Sequence, residues 1–154
     1  MSEPTSRPVP DTSPPPSSPS SPPSSPPPPP SPVALRVTDG PLAAPVLSRV
    51  VSMILARAAC PLDRLDDALI LCDAISAHAP AHARDGHLSF TLTTDTRALE
   101  LRVTKLRTGG ANGLIGDALL PDVGNVIERF SDSRRIESAG DGAGEELVLT
   151  LDFG

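Results

Sequence analysis

The sequence predicts an α+β fold, a two-layer α/β sandwich in which helices cover one face of a mixed, mostly antiparallel sheet. Three observations predict it. Two long stretches between residues 42 and 79 carry apolar residues at helical spacing. Three later stretches alternate apolar and polar residues with the period of a half-buried strand. Helices and strands thus fall in separate blocks, the arrangement that segregates helices to one face of an antiparallel sheet.

The first 32 residues stand apart. They hold 15 of the chain's 20 prolines and 10 serines. Such a segment lacks the apolar surface that would offset the entropy of ordering it, and proline removes backbone donors. Residues 1–32 are therefore expected to be a disordered Pro/Ser-rich tail, partly polyproline II through Pro26–Pro30. Residues 33–154 remain for one folded domain, enough for a single core without staples. The tail suits a proline-motif ligand, a substrate for serine phosphorylation, or an inert extension.

At Val33 the composition changes: Val33, Leu35 and Val37 alternate with Ala34 and Arg36 until Asp39-Gly40-Pro41 breaks the strand. From Leu42 the period lengthens. Leu42, Val46, Val50 and Ile54 form one row and Leu47, Val51 and Leu55 the next, an amphipathic helix ending near Cys60-Pro61. A second helix starts at Leu62 or Asp63, carries Leu65, Leu69, Cys72 and Ile75, and is ended or kinked by Pro80. Leu88, Phe90 and Leu92, the turn Asp95-Thr96-Arg97, and Leu99, Leu101 and Val103 predict an antiparallel hairpin. Residues 107–113 read as a flexible loop. Leu114–Leu120 and Val123–Phe130 read as short helices separated by Pro121, Ile136 as part of a short strand, and Leu147, Leu149, Leu151 and Phe153 as the closing strand.

Charge and composition exclude some functions. Outside the tail there are 17 acidic and 12 basic residues, a balance that repels phosphate backbones, so no nucleic-acid partner is expected. Apolar stretches are interrupted well before the roughly 18–20 residues that a bilayer span needs, so no membrane segment is expected either. Cys60 and Cys72 are isolated, and the N-terminus has no charged start followed by an apolar run. Two separately packed thiols in a cytoplasmic protein are expected.

The order of elements, and the texture of Leu65-Asp66-Asp67-Ala68-Leu69-Ile70-Leu71-Cys72-Asp73-Ala74-Ile75-Ser76-Ala77-His78-Ala79, resembles the histidine-kinase-like ATPase superfamily. Within it, the sequence is similar to the small anti-sigma regulatory factors, serine kinases of anti-anti-sigma proteins. The resemblance covers most of residues 33–153. It implies an ATP site at which a Glu on the second helix acts as base and an Asn four residues on holds magnesium. Asp73 falls at the acidic position and Ala77 at the Asn position, where a methyl group cannot coordinate a metal. The family's Asp-x-Gly-x-Gly loop, which reads adenine, corresponds to Lys105-Leu106-Arg107-Thr108-Gly109, and lysine has no acceptor. Its Gly-x-Gly helix opening, which receives phosphates, corresponds to Pro121-Asp122-Val123-Gly124-Asn125, with one glycine and an added carboxylate.

With all three motifs altered together, the resemblance implies an anti-sigma-like regulator that acts by protein binding. Its partners would be a sigma factor, an anti-anti-sigma (STAS-type) protein, or both, with the first helix and the loop from Arg107 to Gly113 as contact surface. Asp73 would be a vestigial catalytic base, and Lys105, Arg107, Gly109 and Gly124 the remains of a cofactor site. No cofactor is expected unless ATP and magnesium still use that site. The alternatives are an active ATP-dependent serine/threonine kinase, with Asp73 as base and Lys105 or Arg107 on phosphates, and a scaffold recruited through the tail.

Other candidates read more plainly. His78, His82 and His87 are close in sequence, but Pro80 intervenes and no further ligand completes a metal site, so none is expected. Gly109-Gly110-Ala111-Asn112-Gly113 lacks the Lys-Ser/Thr ending of a P-loop. Arg134 and Arg135, followed by Glu137, suit an exposed strand better than a binding fork.

Overall fold

The computed structural model describes Met1 and residues 32–154, apart from Asp39 and Pro41 and the side chains of Val37 and Thr38. The expectation of a disordered tail therefore lies outside the described residues. Strand β1 (Val33–Thr38) leads into helices α1 (Ala43–Arg57) and α2 (Leu62–His78). A 3-10 turn (Ala79–His82) connects to the hairpin β2 (His87–Thr94) and β3 (Ala98–Leu106). Helix α3 (Gly110–Asp117), the short ribbon β4 (Leu119–Leu120) and β5 (Gly124–Asn125), and α4 (Val126–Phe130) follow. The chain closes with β6 (Ser133–Ser138) and β7 (Glu145–Asp152).

Five strands form one sheet in the order β1-β2-β3-β7-β6, and every neighbouring pair is antiparallel. The mixed sheet expected from the sequence is thus antiparallel throughout among the described residues. Period-two patterning sets its register: Phe90 faces Val103, and Val103 faces Leu147, so apolar residues from three strands meet on one face. That face packs against Leu47, Val51 and Leu55 of α1 and Ala68, Leu71, Cys72 and Ile75 of α2, making one continuous core. This is the two-layer α/β sandwich that the sequence predicts.

Where the elements end has local causes. Pro61 precedes α2 in an extended, polyproline II-like conformation that its own ring favours, and Pro80 converts the end of α2 into the 3-10 turn. Asp95 closes the hairpin by accepting from the backbone N–H groups of Arg97 (2.7 Å) and Ala98 (2.9 Å). Those bonds hold the Asp95 carboxyl below its ordinary range.

Three boundaries differ from expectation. The helix expected over Leu114–Leu120 ends at Asp117, and Leu119–Leu120 form β4, paired with β5. Residues 107–113 are not a loop throughout, because α3 begins at Gly110, stabilised by contacts far away in sequence. Residues 123–125 are not helical: the Pro121-Asp122 turn, with Asp122 at φ +64, pairs Leu120 with Gly124 and delays α4 to Val126. No helix among the described residues is long and apolar enough to cross a membrane.

Candidate functional site

Asp73 and Ala77 lie one turn apart on the exposed side of α2, because the core takes Leu71, Cys72 and Ile75. Together with Leu69, Ile70, Ala74 and His78 they form one wall of an open groove of about 360 Å³. Ala118, Leu120 and Val126 form the other. Among the described residues that line it, only Asp73 and His78 are polar.

The far wall is built by contacts that sequence patterning does not encode. The Val126 N–H donates to the Ala118 carbonyl (2.8 Å), and the Asn125 side-chain amide donates to the Ile115 carbonyl (2.5 Å). Asn125 Oδ1 accepts from the Glu128 N–H at 3.1 Å, capping α4. The Val126 and Glu128 amides at this helix start therefore have acceptors within the chain. Gly124, at φ +84, lies beside this cap on the exposed ribbon and does not line the groove.

The opening of α3 is likewise engaged. Glu145, at the start of β7, accepts from the N–H groups of Gly109 (2.9 Å) and Ala111 (3.2 Å), while the Gly110 N–H donates to the Arg107 carbonyl. A carboxylate of this chain thus occupies the place at this helix start that an anion would take. No local signal announces the contact, since Glu145 and Gly109 are 36 residues apart.

The remaining sequence-predicted residues are dispersed. Lys105 sits on the irregularity in the β3–β7 register at φ +66, a left-handed conformation uncommon for a residue with a side chain. It lines a second cleft of about 320 Å³ with Arg84, Thr104, Asp141 and Glu146. There Arg84 bonds Asp141 at 2.9 Å, which raises the guanidinium pKa and lowers that of the carboxyl. Arg107 faces the His82 ring at 3.4 Å, and His82, buried, contacts Asp117 Oδ2 through Nε2 at 2.7 Å. Asp73 therefore shares the groove with none of Lys105, Arg107, Gly109 and Gly124.

The three histidines are separately placed. His78 lines the groove, His82 meets Asp117, and His87 Nδ1 lies 2.9 Å from the Asp85 carbonyl. Among the described residues no group of three or more His, Cys, Asp or Glu could hold a metal. Cys60 and Cys72 are both free. Arg134 pairs with Glu128 at 2.8 Å, and Arg135 bonds Glu137 at 2.7 Å and Glu100 at 2.8 Å.

The described residues that line the groove include one carboxylate and no side-chain amide. At the α4 start beside it, the Val126 and Glu128 amides have acceptors within the chain. The groove walls are otherwise mostly apolar, with Asp73 exposed within the groove. No family model and no curated protein matches this chain.

Proposed function

We propose that this protein is an anti-sigma-like regulator that binds another protein through the α2 groove, without catalysing phosphoryl transfer. The observation that supports it most is the groove's composition: at the positions where the resemblance places a magnesium-binding amide and its base stand Ala77 and Asp73, among Leu69, Ile70, Ala74, Ala118, Leu120 and Val126. The partner on this reading is a sigma factor or a STAS-type anti-anti-sigma protein, each excluding the other, in the cytoplasm. No ATP or magnesium is needed.

Calorimetry with the purified sigma factors and STAS-type proteins of the source organism tests this. A saturable complex is expected, weakened tenfold or more by Ile70→Glu, which places a charge in the apolar wall, and only slightly by Asp63→Asn outside it. A complex indifferent to Ile70→Glu would contradict the proposal.

A second reading has one observation in its favour: Asp73 is exposed within the groove, where a base would have to be. An ATP-dependent serine kinase would phosphorylate a STAS-type protein in the presence of magnesium and lose that activity in Asp73→Asn.

A further inference from the structure

The sheet ends on β1, which pairs with β2 on one side; among the described residues no strand pairs with its other side. An edge of this kind presents unpaired backbone N–H and C=O groups to any chain that can lie along it. Pro32 and Pro41, neither of which has a backbone N–H, bracket the strand and limit an added one to about six residues.

Helix α1, which contacts β1, β2 and α2, extends this surface. Its Leu47, Val51 and Leu55 face the core, whereas Leu42, Val46 and Met53 are 71%, 40% and 60% exposed. Spacings of four and seven place those three in a single row. The row lies on the other side of the core residues from half-buried Ser48 and Ser52, on the more exposed flank of α1. Val33, 39% exposed, adds apolar surface at the start of the edge strand.

Charge decides what kind of partner suits this surface. β1 and α1 contain Arg36, Arg49 and Arg57 and no carboxylate, in a chain of formal net charge −6; Asp39, between them, lies outside the described residues. All three arginines are exposed, and none forms an ion pair among the described residues. A second copy docked on this face would set arginines against arginines.

We propose that the β1 edge and the exposed row of α1 form a docking site for an acidic, alternately apolar segment of a partner protein, added to the sheet as a sixth strand. Backbone hydrogen bonds to β1 supply the common part of the affinity, and alternate side chains supply the specificity. Residues on the helix side of the added strand meet Val33, Val46 and Met53. Residues on the outer side, where Arg36 lies in register with Ser89, carry the carboxylates. Arg49 and Arg57 border the apolar row and favour an acidic partner. This surface is separate from the α2 groove and does not depend on the reading given to it.

The test uses the full chain, isotope-labelled, titrated with an eight-residue peptide of alternating Glu and Val and with its Lys/Val counterpart. The Glu/Val peptide is expected to bind saturably and to shift the amide resonances of Val33–Thr38 and α1. Its affinity should fall about tenfold or more with the Lys/Val sequence, and likewise in the Arg36→Glu/Arg49→Glu variant. Val46→Asp, which leaves the three arginines in place, should weaken it as well. Because these side chains are exposed, thermal unfolding should match the parent chain, so lost binding is not lost folding. Equal affinity for the two peptides, no binding, or shifts confined to β6 or the α2 groove would overturn the proposal. So would sedimentation showing a dimer that Met53→Glu dissociates.

Discussion

Gly113, within α3, lies against the ring of His82, so closely that a Cβ added there would meet Cε1 and would come within 2.7 Å of Nδ1. Gly116, one turn further on, has nothing within 4 Å of the corresponding position. The two glycines make a matched pair, since both are helical and only one is sterically required. Gly113→Ala should destabilise the protein by about 1–3 kcal/mol as the buried imidazole is displaced from Asp117. Gly116→Ala should leave stability unchanged or raise it by up to about 1 kcal/mol through helix propensity. Urea unfolding of both variants reads the difference, and equal effects would contradict this contact. The cysteines make a second contrast. Burial, assisted by Asp73, pushes the Cys72 thiol up to about 12, whereas Cys60 is only partly covered at the end of α1. A thiol reagent at pH 8 should therefore label Cys60 in the native protein and reach Cys72 only on unfolding. Rapid native labelling of both thiols would contradict the packing of α2.

Among the elements, α3 shows most clearly how a helix depends on a distant residue. It has eight residues, too few to be stable alone, and its first amides are held by Glu145 of β7. Glu145→Ala should cost about 1–2 kcal/mol, the range of a lost helix cap, and should speed hydrogen exchange at Gly109 and Ala111. Unchanged exchange at those two amides would show that the carboxylate does not anchor the helix. This dependence also explains what could be read in advance. The strands β2, β3 and β7 and the helices α1 and α2 were legible because each buries a face whose period is written locally, as in Leu99, Leu101 and Val103 or Leu47, Val51 and Leu55. The start of α3 and the delay of α4 were not, because Gly109 depends on Glu145 and Val126 on Ala118. Periodicity alone does not separate the rows of α1: Leu42 and Val46 match the helical period as well as Leu47 does, yet stay exposed while Leu47 is fully buried.

For the molecule as a whole, the two faces of the sheet are stabilised differently. The helix side is apolar. On the outer side Arg102 bonds Glu137 (2.5 Å) and Glu146 (2.8 Å), Arg135 joins Glu137 to Glu100, and Val148 is fully buried in this face. The network ties the edge strand β6 to β3 and β7. Its guanidiniums have raised pKa values, and bonding chiefly to Arg135 and then to Arg102 holds the Glu137 carboxyl below its ordinary 4.5. Asp141, paired with Arg84, is likewise lowered. A carboxyl with a depressed folded value stabilises the fold fully above its unfolded value and loses that contribution as pH falls through the folded one. Thermal stability should therefore be level near neutrality and decline below about pH 4.5, with a shallower decline in Glu137→Gln. An acid profile identical in that variant would show that the outer network contributes nothing.

At the same scale, the candidate site was legible only in part. Asp73 and Ala77 fall in the groove because helical spacing alone places them on one face. Lys105, Arg107, Gly109 and Gly124 belong together only through the family resemblance, and the fold separates them: a register irregularity, the His82 ring, a carboxylate from β7 and an exposed ribbon each take one. On the proposed function, the groove between α2 and the α3–α4 segment receives protein side chains rather than a magnesium nucleotide. Titration of the full chain with a fluorescent ATP analogue, with and without magnesium, tests it most directly. The account predicts no saturable binding in the micromolar range under either condition. Micromolar binding that requires magnesium and is lost in Asp73→Asn would contradict it.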